Sequence, residues 1–589
     1  MSDRLDDNHD TLEEMYAAAA AAARRRPQRA AALAQAAAEF AWGNHTGWFA
    51  YEPLELLLTE LGRSLPSVPV PTRPRRTLHV VTQMYQSGGH TQIIAGWTDQ
   101  LADRSHEIVA TRQMTSPVPA KIASRLGDRV GLTMLDTTPG SLLHRAARLR
   151  ALASTADLVV SHCHPFDVVP ALAFADRRDL PPVVYIDNTD HVFWVGVRAY
   201  DRVVHLRRSG QDLAQHRRGL PLERSIVRNR PLSVRGRTKR RETAKPQWQV
   251  RASDVLVVTA ADSSKFQGGD TYLAAVEAAV AAEPRLQWRV AGPNPESEPW
   301  AGLARRTSGR IQAVGMLPDV APLHHAADVY LDSFPFAGLT SLLESGGLGN
   351  PVVTFRGHRP ECAVWGSDSP GIDHLMLRPN SADQLRDTLL DLVRRPRERV
   401  SRGSATAQAI LECHTGPGWV ADAESLYLTP QRLGDDLLAP VRGRGHLDLL
   451  TVSVQATNPF SRTGADITAG LLGAMPLTDR ISMWRQTRRG GAGRVRDLAP
   501  EWAAAAVRAR LRRRPAGIPG YPGIPALLWQ CNTGEVQELP ERCDTCDCGD
   551  CRRRSARAAE THSGAPRHLR GHGGLEECAD PSGQAYGIL

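Results

Sequence analysis

Residues 326–355 read AADVYLDSFPFAGLTSLLESGGLGNPVVTF. The apolar run Val329-Tyr330-Leu331 ends at Asp332, and a loop with Pro335 and Gly338 follows. Thr340 and Ser341 open a helix with Leu342, Leu343 and Glu344 at its start. Gly346, Gly347 and Gly349 stop that helix, and Pro351 to Phe355 begins a new strand. The order is strand, loop, helix, strand, with the loop at the carboxyl end of a strand, where open α/β sheets bind ligands. Free N–H groups at a helix start, with two hydroxyls beside them, suit a phosphate. Glu344 sits one turn further in, where a carboxylate can accept hydrogen bonds from a ribose diol. An ordinary βαβ unit in which Thr340 only caps its helix shares this pattern, so the flanking sequence has to decide.

On the N-terminal side of this stretch, Asp254–Val258, Gln287–Ala291 and Ile311–Gly315 read as strands, and Thr271–Ala282 and Val320–Ala327 as helices. Earlier still, strands are expected at Leu78–Thr82, Glu107–Ala110, Gly131–Leu135, Asp157–Ser161 and Pro182–Ile186. Helices at Gln92–Leu101, Pro119–Leu126 and Leu142–Ala153 separate several of them. Such alternation predicts parallel sheets. Between the first strand and its helix lies Ser87-Gly88-Gly89-His90-Thr91. A glycine-rich turn there lets the backbone approach a ligand closely, and His90 is either a site residue or a helix cap. Two strand ends carry polar clusters, Ser161-His162-Cys163-His164-Pro165 and Asp187-Asn188-Thr189-Asp190-His191. Adjacent residues on an extended chain point to opposite faces, which argues against His162, Cys163 and His164 as one metal site. A histidine near neutral pKa can take the proton of an acceptor hydroxyl. His191 beside Asp190 fits that role, or is a hydrogen-bonded structural residue.

The 326–355 stretch resembles the donor-binding motif of GT-B glycosyltransferases, and most closely that of the O-GlcNAc transferase/SPINDLY-like family. The residues that carry the likeness are Leu331-Asp332-Ser333, Gly338, the pair Thr340-Ser341, and Glu344. Leu339 departs from it, standing where the animal enzyme has a histidine. Retaining GT-B enzymes carry two glutamates eight positions apart, and Phe336 stands where the first should be, which weighs against retention. The resemblance covers about residues 75–430. It implies an α/β fold of two Rossmann-like domains, and transfer of a hexosyl or N-acetylhexosaminyl group, with inversion. The implied co-substrate is a nucleotide sugar, uridine diphosphate-linked, and no cofactor or metal is tightly bound. It places Gly88 and Gly89 toward the donor phosphates and acceptor, and Asp190 to Gly196 at the interdomain cleft. Lys265 falls where the family has a lysine on the donor's diphosphate, and a compact ammonium neutralises a leaving diphosphate; the alternative is a surface lysine. The final helix, Trp419–Tyr427, is expected to cross back onto the first domain. His90, His191 and Lys265 are thus the catalytic candidates, and Gly88, Gly89, Lys265, Gly338, Thr340, Ser341 and Glu344 the donor-binding ones. The acceptor, whether protein, glycan or small molecule, stays open. Two other readings are a nucleotide-sugar 2-epimerase and an inactive scaffold that binds a partner.

Composition sets the bounds. With 42% hydrophobic and 23% charged residues, the 589-residue chain can bury a large core. The net charge of +9 arises from 72 Lys+Arg against 63 Asp+Glu, compatible with an anionic nucleotide and not demanding nucleic acid. Arginines crowd residues 201–252, but Trp248 is the sole aromatic there, so a solvated strand–helix–linker joining two Rossmann-like halves is expected rather than a nucleic-acid face. No transmembrane run or signal peptide is evident, and scattered cysteines suit a reduced cytoplasm. Abundant alanine reads as genome composition first. The expected domains are a helical extension and linker at 1–74, an acceptor-side domain at 75–245, a donor domain at 246–430, and an Arg/Gly-rich tail at 431–589, poorly structured in large part. The tail holds Cys543, Cys546, Cys548 and Cys551, a weak zinc candidate because one residue separates its two Cys-x-x-Cys pairs.

Overall fold

The computed structural model describes residues 1–66, 75–85, 89–113, 118–234, 236–427, 437–456 and 461–503. Three helices come first: α1 (Ser2–Ala23), α2 (Pro27–Gly43) and α3 (Glu52–Arg63). Pro27 takes the first position of α2, where a missing N–H costs nothing. Ala30, Ala31, Ala32, Ala34, Ala36, Ala37, Ala38 and Ala41 of α2 have no exposed surface. The extension is joined to the first domain by polar contacts as well. Gln35 Oε1 accepts the N–H of Val168 at 3.0 Å, and Glu55 Oε1 accepts that of Gly196 at 2.8 Å.

Two parallel sheets follow. The first contains β1 (Arg76–Val81), β2 (Ser105–Ala110), β3 (Val130–Met134), β4 (Leu158–Ser161), β5 (Val183–Asp187), β6 (Arg202–His205) and β7 (Ser225–Val227), in the order β3-β2-β1-β4-β5-β6-β7. The second contains β8 (Val255–Ala260), β9 (Leu286–Ala291), β10 (Ile311–Gly315), β11 (Val329–Leu331) and β12 (Val352–Val353), in the order β10-β9-β8-β11-β12. This is the α/β architecture of two Rossmann-like domains that the sequence predicts. Each sheet reverses its strand order once, between β1 and β4 and between β8 and β11. Ligand crevices form at the carboxyl ends of such strand pairs. The loops after β1, β4, β8 and β11 carry His90, His164, Lys265 and Asp332.

Beneath the first crevice, three buried histidines, on β1, on β2 and just past the end of β4, form a chain. His106 Nε2 lies 2.8 Å from the carbonyl of Leu101, and His106 Nδ1 3.1 Å from His79 Nε2. His79 Nδ1 lies 3.1 Å from His162 Nε2. A carbonyl can only accept, so His106 donates to it through Nε2. His79 then donates to His106, and His162 to His79, with all three rings neutral. Burial pushes all three below the usual histidine value, His162 to about 3.

The helix Gly416–Glu424 returns to the first domain, as expected. Trp419 packs edge-on against Trp97 at 5.2 Å, and its Nε1 donates to the carbonyl of Asn229 at 3.0 Å.

Two departures from the sequence reading stand out. First, residues 201–252 do hold strand, helix and linker, as expected, but they are not mainly solvated. They contain β6 and β7, and Arg207, Arg218, Arg224, Arg230 and Lys245 are buried, although Arg208, Lys239 and Arg240 are exposed. The buried guanidiniums serve main-chain carbonyls that would otherwise lack donors: Arg218 donates to Asp190 and Val192 at 2.5 and 2.7 Å, and Arg224 to Val197 at 3.0 Å. Second, the fold extends past the boundary read at 430. The helices His446–Ala456, Gly464–Gly470 and Leu477–Arg489 pack back on α1, α2 and the first domain. Arg462 pairs with Glu39, and Asp479 with Arg26. Glu501 sits between Arg112 and Arg145 at 2.6 and 2.8 Å, and the two arginines hold its carboxyl down at about 2 despite its burial.

Candidate functional site

The second domain supplies one wall. Asp332, at the end of β11, is fully buried. Its Oδ1 accepts the N–H groups of Ser333 and Gly338 at 2.9 and 2.7 Å, which fixes the intervening loop. Burial raises its carboxyl above the ordinary aspartate value. Gly338 caps the helix Leu339–Gly347, whose first turn presents Thr340 and Ser341. A Cβ on Gly338 would meet nothing closer than Asp332 Oδ1 at 3.6 Å, so the protein itself does not demand a glycine there. Lys265 approaches from the turn Ser263–Phe266 after β8, which Asp262 caps through the N–H of Ser264 at 2.9 Å. Its Nζ donates to the carbonyl of Ala337 at 3.1 Å and lies 4.0 Å from the centre of the Phe336 ring. Desolvation pushes the ammonium down to about 8, against the pull of Asp332 and Asp262.

The first domain supplies the opposite wall from the carboxyl ends of β1, β5 and β6. Asp190 holds Arg207 through both carboxylate oxygens, one at 2.9 Å from Nε. Arg207 also reaches across to the second domain, donating to the carbonyls of Gly366 and, at 2.9 Å, Val364. The His191 ring lies between Phe336 and Trp365 at 4.6 and 4.9 Å, with Nδ1 3.5 Å from Asp190 Oδ1. Burial lowers its pKa, and Asp190 opposes the shift. His90 lies in the first turn of α4 (Gly89–Gln100), 5.7 Å from the His164 ring. Its Nε2 is buried with no hydrogen-bond partner among the described residues. Burial, then the charge of Arg230, push it down to about 4. Gly89 is demanded by packing, since a Cβ there would lie 2.7 Å from Asn188 Nδ2.

Arg230 joins the two walls. It is 4% exposed, donates to Asn188 Oδ1 at 2.5 Å, and donates to Thr340 Oγ1 on the other domain. The ring of His414 anchors its main-chain carbonyl through Nδ1 at 2.9 Å. Its side-chain partners are an amide oxygen and a hydroxyl, and those of Lys265 are a carbonyl and a ring face. Neither cation is hydrogen-bonded to a carboxylate among the described residues. Glu344 acts on Arg230 through its charge, one turn into the helix. A desolvated cation without a bonded counter-charge is costly.

The structure therefore brings His90, His191, Lys265, Gly89, Gly338, Thr340, Ser341 and Glu344 into one cleft. Gly88 and the four cysteines at 543–551 lie outside the described residues. Among the described residues no group of His, Cys, Asp and Glu is placed to hold a metal ion. His162 belongs to the histidine chain. Arg230, Arg207 and Trp365 were not legible as site residues, and Asn188 was read only as part of a polar cluster at a strand end. Arg207 follows β6 after only Leu206, so recognising that four-residue strand would have put it at a carboxyl end and exposed its role.

No protein-family model matches the chain, and no curated protein matches it. Among solved structures, Alr3699/HepE of Anabaena in complex with UDP and glucose is similar at 16% identity and a TM-score of 0.46, over 60% of this chain and 100% of that one. A Thermobaculum terrenum O-GlcNAc transferase mutant is similar at 16% identity and a TM-score of 0.42, over 71% of this chain and 80% of that one. A glycosyltransferase from Rickettsia africae is similar at 11% identity and a TM-score of 0.45, over 60% and 98%. Similarities at this level carry no functional information of their own.

Proposed function

We propose that the chain is a glycosyltransferase that moves a sugar from a nucleoside diphosphate donor, UDP-linked, to an acceptor hydroxyl with inversion. The observation that carries this reading is a pair of cations, the buried Arg230 and the half-buried Lys265, converging from the two domains on one helix N-terminus. Their two charges match a sugar-linked diphosphate, and the hydroxyls of Thr340 and Ser341 with the first N–H groups of the helix add neutral donors. Glu344 accepts hydrogen bonds from the ribose. In a single displacement the acceptor oxygen bonds to the anomeric carbon as the bond to the diphosphate oxygen breaks. Lys265 and Arg230 stabilise the charge that develops on the departing diphosphate. His90 is neutral at pH 7, and its Nε2, without a hydrogen-bond partner among the described residues, can take the acceptor's proton. His191 is the other base for this step, though its ring is wedged between Phe336 and Trp365.

The test is calorimetric titration of the full chain with UDP, GDP, ADP and CMP. One diphosphate is expected to bind, and Arg230→Ala or Lys265→Ala to weaken it at least tenfold, since a hydrogen bond to a charged group is worth about 1.5–3 kcal/mol. Because each substitution also removes a desolvated cation without a bonded counter-charge among the described residues, the ligand-free proteins should melt no lower than the parent. Absence of binding by any nucleoside diphosphate to the folded parent would overturn the reading.

A further inference from the structure

The helix His446–Ala456 touches three parts of the molecule at once. Toward the N-terminal extension, Asp448 Oδ1 lies 3.0 Å from His45 Nε2, and Gln455 Nε2 donates to the carbonyl of Trp42 at 2.8 Å. Toward the first domain, Asp448 takes Arg217 at 2.6 Å. Toward the second domain, Thr451 Oγ1 accepts the indole N–H of Trp365 at 3.2 Å. Thr451 and Trp365 are 0% and 1% exposed, so this bond forms out of water. One apolar cluster runs through all of them, with Phe49 from the extension, Leu213 from the first domain, Phe336 and Trp365 from the second, and Leu447 and Val454 from the helix.

The approach to this helix is equally integral. Gly219 has a φ of +72°, and a Cβ on it would lie 2.0 Å from the carbonyl of Leu438. Gly47, at φ +83°, would place one 2.6 Å from the carbonyl of Gly443. Two glycines in the left-handed region thus leave room only for main chain, and segment 438–443 occupies that room.

Trp365 and Phe336 form the pocket around the His191 ring, and Phe336 also lies under Lys265. Contacts beside the helix close the same flank: Arg207 on Val364 and Gly366, and Ser209 on Asp368 at 2.5 Å. We propose that the helix His446–Ala456 is an internal clamp across the two Rossmann-like domains, and that Thr451 is a positioning residue which, through Trp365, holds the His191–Phe336–Lys265 wall of the cleft in place. The clamp rests on packing and geometry; its consequence for turnover rests on the transferase reading above.

Hydrogen exchange of the full chain without nucleotide tests the clamp apart from that reading. Thr451→Val keeps the shape of the side chain and leaves the buried indole N–H unpaired. It should speed exchange of amides in 360–368 about tenfold, the factor that corresponds to losing one buried hydrogen bond with its donor left unsatisfied. Amides around Trp419, on the other flank, should keep their protection, and Thr451→Ser should restore the parent rate. In a double-mutant cycle, Thr451→Val added to Trp365→Phe should cost little more than Trp365→Phe alone. If a nucleoside diphosphate binds, Thr451→Val should weaken it and Thr451→Ser should not. Unchanged exchange at 360–368, or equal acceleration throughout the protein, would overturn the clamp. Loss of nucleotide binding in the parent would overturn the transferase reading and leave the exchange result standing.

Discussion

At the residue scale, Lys265 links nucleotide binding to pH. Its ammonium is pushed from 10.5 to about 8 by desolvation. The folded-state value lies below the unfolded one, so the charged form is the strained form in the fold. Ligand-free stability should therefore rise between about pH 8 and 10.5, where only the unfolded chain still carries the proton. A diphosphate alongside favours the charged form again. Binding at pH 8.5 should thus take up a proton, and affinity should fall as pH rises above 8. Titration in two buffers of different ionisation enthalpy reads this directly; a heat independent of buffer, or an unchanged proton count in Lys265→Met, would refute it. Thr340 and Glu344 were legible because each follows a strand end or helix start that local patterning reveals, and Lys265 because the family resemblance placed a lysine there. Arg230 was not, because a linear reading cannot tell a guanidinium donating to Thr340 from one facing water.

At the scale of elements, the three-histidine chain makes the first sheet sensitive to acid. His79, His106 and His162 bind protons in the unfolded chain at about 6.5, and only at lower pH when folded. Their contribution is complete above about pH 6.5 and is lost as pH falls below it. The urea midpoint should drop between pH 7.5 and 5.5. His162→Leu removes one of the three titrations and should flatten that drop, while lowering stability at pH 7.5 because His79 Nδ1 loses its donor. An equal drop in parent and variant would exclude His162 as a contributor. Most strands here were readable from their apolar runs, since strands of a sheet covered on both faces need no polar alternation. β6 and β7 escaped because they have only four and three residues and are flanked by arginine. No sequence pattern pairs His79 with residues on β2 and just past β4; only the sheet order does.

At the scale of the whole molecule, the two sheets were legible and the limits of the folded unit were not. The helix His446–Ala456 gave no strong amphipathic signal because it is covered from several sides at once, by the extension and by both domains. A chain ending at 430 would leave Phe49 and Trp365 uncovered and Arg112 and Arg145 without Glu501. A fragment of residues 1–503 should melt cooperatively at the temperature of the full chain and bind nucleotide equally well. A 1–430 fragment should do neither, and a cooperative, nucleotide-binding 1–430 fragment would show the later helices to be dispensable. The alanines of α2 bear on the same question of what composition reveals. Counted along the chain they look like the drift of a base-rich genome, a stretch almost without information. In the fold they form a cylinder covered on every side, with no atom to spare beyond each methyl. The plainest text in the sequence is thus among the least open to revision: nearly every change there is an enlargement, and only the glycine-sized ones are not.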